Sequence, residues 1–195
     1  MQDFRIYNGV AKYTEDFLPP STGYNAGSIS PTSVPFGSQI KNRYSSDLLS
    51  GSVWFDGSKN RMRCADTTEL DPASTWTLEA WIWKHETCGA DGNARAIISK
   101  WDNTGGNNDK GWYLRIQDST DNRLSFLWTE DGSTNKELLG KVTIGNKKWY
   151  HVAVVANNGY LTMYVDGVQD FVTPRGYYST IREATIPIFI GGVHI

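Results

Sequence analysis

Cysteine is scarce in this chain of 195 residues, which has only Cys64 and Cys88. A disulfide-held scaffold would carry more cysteines in a shorter chain, so disulfides do not define this fold. The sequence leaves open whether these two cysteines form a bridge or remain thiols. Long apolar runs are also missing: none approaches the roughly 20 residues that a membrane-spanning helix requires. The start, MQDFRIYNGV, lacks the basic residues and apolar stretch of a signal peptide.

An excess of charge of either sign is absent too. Nineteen Lys and Arg stand against 21 Asp and Glu, which gives a formal net charge of −2. Binding to nucleic acid would call for a basic stripe, and none is present. The three histidines are not spaced as the ligands of a zinc motif.

Aromatic residues and glycine are abundant: aromatics make up 13% of the chain, with eight Trp and ten Tyr, and there are 19 Gly. Short segments of alternating apolar and polar residues are separated by turn residues, and no 3.6-residue periodicity is evident. The spacing predicts an all-β, antiparallel β-sandwich. The predicted strands cover residues 3–8, 52–55, 75–84, 96–101, 111–118, 123–129, 149–156, 160–166, 168–173 and 186–192.

Two hairpin turns are predicted near the C-terminal third. Asn158 and Gly159 lie between two predicted strands, and Asp166 and Gly167 follow eight residues later. A type I′ turn needs positive φ at both central residues, which Asn, Asp and Gly tolerate. We therefore interpret Asp166 as an architectural residue and not a catalytic one.

Composition divides the chain into three parts. Residues 19–38 hold four of the seven prolines and many Ser and Gly, which indicates a linker or covering loop. We assign residues 1–18 to a strand and exit segment, residues 19–50 to the linker, and residues 51–195 to the main domain.

The series VWFDG, WTLEAWIW, IISKWD, GWYLRI, KWYHVAVV, LTMYVDGV and IPIFIGG, spread over residues 52 to 192, carries a family resemblance. It resembles the concanavalin A-like jelly rolls, specifically their laminin-G-like and pentraxin-like branch. The resemblance implies two antiparallel sheets of six or seven strands, with ligands bound on the concave side or the rim. It also implies that calcium at the rim is common.

The N-terminal segment DFRIYNGVAKYTEDFLPP resembles the closing strand and exit segment of such a domain, as found in tandem copies in phage tail and virion proteins. Either residues 1–18 end a preceding repeat, or the strand returns to its own domain as in a circular permutant. A sandwich without its closing strand would expose an unpaired edge. We predict that residues 3–8 pair beside residues 52–55, in the same molecule or in a neighbouring copy by strand exchange.

The sequence gives little support for an enzyme. A retaining glycosidase needs two carboxyl groups about 5–5.5 Å apart. Glu79 stands alone in its strand, with Trp81 and Trp83 where a partner acid would be required. His151 lies mid-strand without a nucleophile motif nearby. We predict no catalytic residues.

Calcium is a candidate cofactor, because it takes oxygen ligands from Asp, Asn and backbone carbonyls. The loop DNTGGNND at 102–109 is the densest such cluster, and DSTDN at 118–122 follows it. The candidate ligands are Asp102, Asp109, Asp118 and Asp121. The competing interpretation is that these residues suit turns and solvent.

A sugar site would combine aromatic rings with a few polar groups. Most of the tryptophans are predicted to fill the core, with one or two exposed beside the 102–109 loop. The predicted ligand-binding residues are Trp101, Asp102, Asn107, Asn108, Asp109, Trp112 and Trp128.

We therefore predict a non-catalytic, carbohydrate-binding module of a phage virion or tail that adheres to host-surface glycans. The expected partners are such a glycan and other copies or virion proteins, and neither nucleic acid nor membrane. A structural virion protein without glycan binding is the alternative, and a glycan hydrolase is the least favoured interpretation.

Overall fold

The computed structural model describes residues 2–19, 53–56, 60–85, 95–102, 109–117, 121–171, 176–178 and 180–193. Strands dominate this part of the chain, and its one helical segment is a single 3-10 turn at Thr68–Leu70. The strands are β1 Gln2–Asn8, β2 Met62–Cys64, β3 Thr75–Trp83, β4 Arg95–Trp101, β5 Lys110–Ile116, β6 Arg123–Trp128, β7 Lys136–Thr143, β8 Trp149–Asn157, β9 Tyr160–Val165, β10 Val168–Gln169, β11 Gly176–Tyr177 and β12 Ile188–Ile190.

The strands form two six-stranded antiparallel sheets. Sheet A has the order β1-β3-β8-β9-β10, with β11 also paired to β9, and sheet B has the order β2-β12-β4-β5-β6-β7. The prediction of an all-β antiparallel sandwich is confirmed. Among the residues that the structure describes, no helix is long and apolar enough to cross a membrane.

The core lies between the sheets and follows the two-residue alternation of the strands. On β3, Leu78, Ala80 and Ile82 face inward and are buried. Trp112 and Leu114 of β5 meet them from sheet B in the same apolar cluster. The alternating residues of β3 therefore point outward, including Glu79 and the aromatic pair Trp81 and Trp83.

Both predicted hairpin turns have the expected geometry. Asp166 and Gly167 have φ values of 50° and 83°, and Asn158 and Gly159 have 48° and 85°. Each pair occupies the left-handed region that a type I′ turn requires. The Asp166 carboxylate also accepts a 2.9 Å hydrogen bond from the His151 N–H, which supports its architectural interpretation.

The strand predictions differ from the structure in several places. Residues 53–56 are not a strand, and the predicted strand at 168–173 is reduced to β10. Strands β2, β7 and β11 were not predicted. They are short or lack clean alternation, so their pairing depends on neighbouring strands and not on a local pattern.

Strand β1 pairs antiparallel with β3 of its own chain, with Arg5 opposite Glu79 and Tyr7 opposite Thr77. The prediction that it lies beside residues 52–55 is wrong. The β3 edge offers a longer partner, and this register directs Ile6 toward the core cluster while Arg5 lies on the outer face. Cys64 on β2 is an exposed free thiol, whereas Cys88 lies outside the described residues.

Candidate functional site

Asp109, at the end of the acidic loop predicted as a calcium site, takes part in structural contacts. One Asp109 carboxylate oxygen accepts hydrogen bonds from the Thr185 N–H at 3.0 Å and from the Thr185 hydroxyl at 2.6 Å. Its other oxygen lies 3.2 Å from the Arg182 guanidinium. Asp109 therefore fastens the segment before β12 to the β4–β5 hairpin.

Of the other predicted calcium ligands that the structure describes, Asp102 lies beside Asp109 and Asp121 does not. Asp102 is buried and joined to Asp109 through their backbones, whereas Asp121 forms a 2.8 Å ion pair with Arg123. Asn107, Asn108 and Asp118 lie outside the described residues. No cluster of three or more His, Cys, Asp or Glu that could hold a metal is found in the described part of the chain.

The three tryptophans of the predicted sugar site are buried. Trp101 is 4% exposed, and Trp112 and Trp128 are 3% exposed, the latter two within the core between the sheets. A ring packed on both faces has no surface left for a sugar. The expectation of an exposed tryptophan beside the 102–109 loop is therefore corrected for Trp101, Trp112 and Trp128.

The outer face of sheet A carries a different group of polar and aromatic side chains. The alternation of β3 and β8 places Glu79, Trp81 and Trp83 on this face, together with Trp149 and His151. Tyr164 of β9 extends the row. One part of the face is covered and the other is open.

Residues 2–19, here called the N-terminal arm, supply the cover. After β1 the arm turns over sheet A, where Tyr13 and Phe17 pack on the apolar side chains of Ala153, Val155 and Tyr164. The Phe17 N–H donates a 2.8 Å hydrogen bond to the Gly167 carbonyl at the far hairpin.

Beneath the arm, the Glu79 carboxylate is buried at the centre of a polar cluster. It accepts hydrogen bonds from the Lys12 ammonium at 2.8 Å, from the Tyr13 hydroxyl at 2.6 Å and from the Tyr7 hydroxyl at 3.2 Å. Arg5 lies 3.7 Å away. The arm thus provides all four of these partners.

These contacts shift the ionisation of the cluster. Burial alone would raise the pKa of Glu79, but His151, Lys12 and Tyr13 together lower it to about 2. Burial and the hydrogen bond to Glu79 raise the pKa of Tyr13 to about 12. The pKa of Lys12 is raised in spite of burial, because its hydrogen bonds to Glu79, Tyr13 and Tyr7 favour the charged form.

The geometry around Glu79 does not resemble an acid–base site in contact with substrate. Among the residues that the structure describes, no second carboxylate contacts Glu79, and the His151 Nε2 lies 3.4 Å from a Glu79 oxygen without a well-aligned hydrogen bond. Both side chains are 1% exposed. The cluster instead holds the arm to the sheet.

The open part of the face ends in an aromatic pair, here called the aromatic platform. Trp83 of β3 and Trp149 of β8 are directly opposite, with ring centroids 5.6 Å apart and planes inclined by 60°. Trp83 is 39% exposed, and Trp149 is partly exposed.

The platform was not predicted from the sequence, because the exposed tryptophans were expected beside the acidic loop at 102–109. The alternation of β8 was a usable signal, since it places Trp149 on the face that carries His151. The sequence does not reveal the register of β3 and β8, which sets Trp149 opposite Trp83.

The family model described as "Concanavalin A-like lectin/glucanases superfamily" matches residues 56–193. The chain belongs to this superfamily. The sandwich of two antiparallel sheets is the fold that membership implies, and carbohydrate binding is common within it. A search of curated proteins found no match.

The chain is similar to several solved structures at low sequence identity. Domains LG4-5 of the mouse laminin alpha1 chain align with a TM-score of 0.50 and 15% identity, covering 71% of this chain and 34% of that chain. This concanavalin A-like chain thus spans about a third of the laminin structure. A pentraxin from Limulus polyphemus aligns with a TM-score of 0.41 and 20% identity, covering 59% of this chain and 50% of that one.

Domain 4 of an extracellular arabinanase from Geobacillus stearothermophilus, solved with arabinotriose, aligns with a TM-score of 0.45 and 14% identity. The alignment covers 74% of this chain and 68% of that chain.

Proposed function

We propose that this protein is a non-catalytic carbohydrate-binding module, and that the aromatic platform of Trp83 and Trp149 is its contact with glycan. Membership of a superfamily in which carbohydrate binding is common supports the class of ligand. The location of the site is supported by the platform itself, because it presents aromatic surface on an outer sheet face.

The chemistry of the platform suits a sugar. Indole rings offer flat apolar faces on which the C–H face of a pyranose can stack, and polar groups at the margin fix its orientation. The inclined planes of Trp83 and Trp149 form a shallow angle and not a deep pocket. We therefore expect recognition of one or two sugar units, with weak affinity for each site.

The non-catalytic part of the proposal is supported by the arm. Glu79 is the acid nearest the centre of the outer face, and Lys12 and Tyr13 cover it. A substrate bound at the platform would not reach its carboxylate while the arm is docked. Hydrolysis would also need a second carboxyl group.

A glycan array tests this function directly. We expect the intact protein to bind a subset of surface polysaccharides. Trp83→Ala and Trp149→Ala should each weaken that binding about tenfold or more, because each removes an aromatic surface that the bound sugar would cover. The matched control is Tyr160→Ala, because Tyr160 is an exposed aromatic at the opposite end of sheet A.

Binding should be measured with calcium and with a chelator, which also tests the calcium prediction. Failure to bind any glycan would contradict the proposed function and favour a purely structural protein. Binding that survives both tryptophan substitutions would contradict the platform as the site.

The setting that we propose is a phage particle, where many copies would convert weak single sites into firm adhesion to a host surface. The resemblance of the N-terminal segment to phage tail and virion proteins supports this setting. Labelling of purified particles by an antibody against this chain would test it, and absence of the chain from particles would contradict it.

A further inference from the structure

The N-terminal arm is bound to the rest of the protein like a separate ligand. It pairs with β3 through β1, covers Glu79 and reaches the hairpin at Gly167. Every described partner of the arm outside itself lies beyond residue 66. The thirty-three residues 20–52 separate the arm from the next described residue, Val53.

The surface that receives the arm is specific and costly to leave empty. Without β1, the edge of β3 would present unpaired backbone groups. Without Lys12, the Glu79 carboxylate would lose the cation 2.8 Å away. Without Tyr13 and Phe17, the apolar surface of Ala153 and Val155 would meet water.

The pairing is also selective in its detail. The Lys12 N–H donates to the Thr77 hydroxyl at 2.9 Å, and that hydroxyl donates to the Val10 carbonyl at 2.9 Å. The Gln169 N–H donates to the Asp16 carboxylate at 2.9 Å. These contacts fix the register of the arm from β1 to the far hairpin, so the matching occupant of a vacant surface is another copy of the same arm.

We propose that sheet A also accepts the arm of a second copy of this chain, so that neighbouring copies are joined by strand exchange. Exchange preserves every contact between arm and sheet and changes only the path of the connection, which makes it a low-cost route to association. The arm of the same chain competes with the arm of the second copy at an effective concentration in the millimolar range, which the length of the connecting segment sets. Exchange is therefore favoured where copies are held close together.

The test uses two full-length variants in a Cys64→Ser, Cys88→Ser background. One carries Tyr7→Cys and the other carries Thr77→Cys, because these residues are opposite each other on β1 and β3. The two are mixed at rising concentration, unfolded and refolded together, and then oxidised. A disulfide between them can form in register only if the arm of one copy docks on the sheet of the other.

We expect a covalent heterodimer whose yield rises steeply as the protein approaches about 1 mM. A single chain with both substitutions should form the intrachain bond, which shows that the geometry permits the disulfide. In the control mixture, Thr77→Cys is replaced by Val142→Cys, an exposed position on β7 of sheet B.

Absence of the heterodimer at every concentration, with the intrachain bond intact, would overturn the proposal. Equal yields in the test and control mixtures would overturn it as well. Neither result depends on whether the protein binds a glycan.

Discussion

Glu79 holds a negative charge out of contact with water, and it does so because the arm supplies its counter-charge. The folded-state pKa of about 2 lies below the ordinary value of 4.5. The ionised form therefore stabilises the fold fully above pH 4.5, and this contribution is lost as the pH falls from 4.5 to about 2. The shift corresponds to on the order of 3 kcal/mol.

Glu79→Gln should lower the free energy of unfolding at pH 7 by about 3 kcal/mol and flatten its pH dependence between 4.5 and 2. Urea titrations over this pH range provide the measurement. Glu137→Gln is the matched control, since Glu137 forms a partly exposed ion pair with Arg115 and should cost less than about 1 kcal/mol. An unchanged acid slope in Glu79→Gln would contradict the role of the cluster.

Gly167 is constrained twice, by its φ of 83° and by the arm. An added methyl group would collide with the Phe17 carbonyl, whereas at Gly9, with a φ of 76°, it would meet open space. Gly167→Ala should thus cost more than the roughly 1 kcal/mol expected of Gly9→Ala from backbone strain alone.

The additional destabilisation in Gly167→Ala should be localised to the N-terminal arm. Limited proteolysis is expected to cleave near Phe17 faster in Gly167→Ala than in Gly9→Ala. Equal stability and equal cleavage in the two variants would show that the contact between arm and hairpin contributes nothing.

At the scale of elements, a buried carboxylate joins the two sheets at one margin. Asp170, which directly follows β10, accepts hydrogen bonds from the N–H groups of Lys141 at 2.6 Å and Val142 at 3.0 Å on β7. Gly140 leaves room for it, because a methyl group there would collide with the other carboxylate oxygen.

Asp170→Ala should lower the free energy of unfolding by about 2–4 kcal/mol, since two hydrogen bonds to a charged acceptor are lost. Gly140→Ala should be destabilising in the natural chain and less so in the Asp170→Ala background. A double-mutant cycle by chemical denaturation measures this coupling. Strict additivity of the two changes would contradict the direct contact.

The elements themselves were predictable where the pattern is local. Strands β3, β5 and β6 show clean alternation, and the β8–β9 and β9–β10 turns carry Asn-Gly and Asp-Gly. Strand β7 was missed, because Leu138 is its one fully buried apolar side chain and Gly140 interrupts the run. Its place depends on Asp170 and β6, which are contacts distant in sequence.

For the molecule as a whole, stability should fall from the centre of sheet A toward the arm. Strands β3 and β8 are paired along nine residues in the interior of sheet A, whereas β1 is its edge strand. We expect hydrogen exchange to be slowest in β3 and β8. In β1 it should be measurably faster than in those two strands but still slower than in a free peptide. Exchange of residues 5–8 at the rate of an unstructured peptide would contradict the docked arm.

The sequence by itself determined most of the longer strands, two hairpin turns and the class of fold. Alternation with a period of two and turn residues that tolerate positive φ act within a few residues, and a chain with such segments and no helical period buries its apolar faces by stacking sheets. Only the tertiary structure decided that Trp101, Trp112 and Trp128 are covered, that Trp83 meets Trp149, and that the arm closes over Glu79. Each of these depends on which distant strand pairs with which, and in what register, and burial and pKa follow from those neighbours.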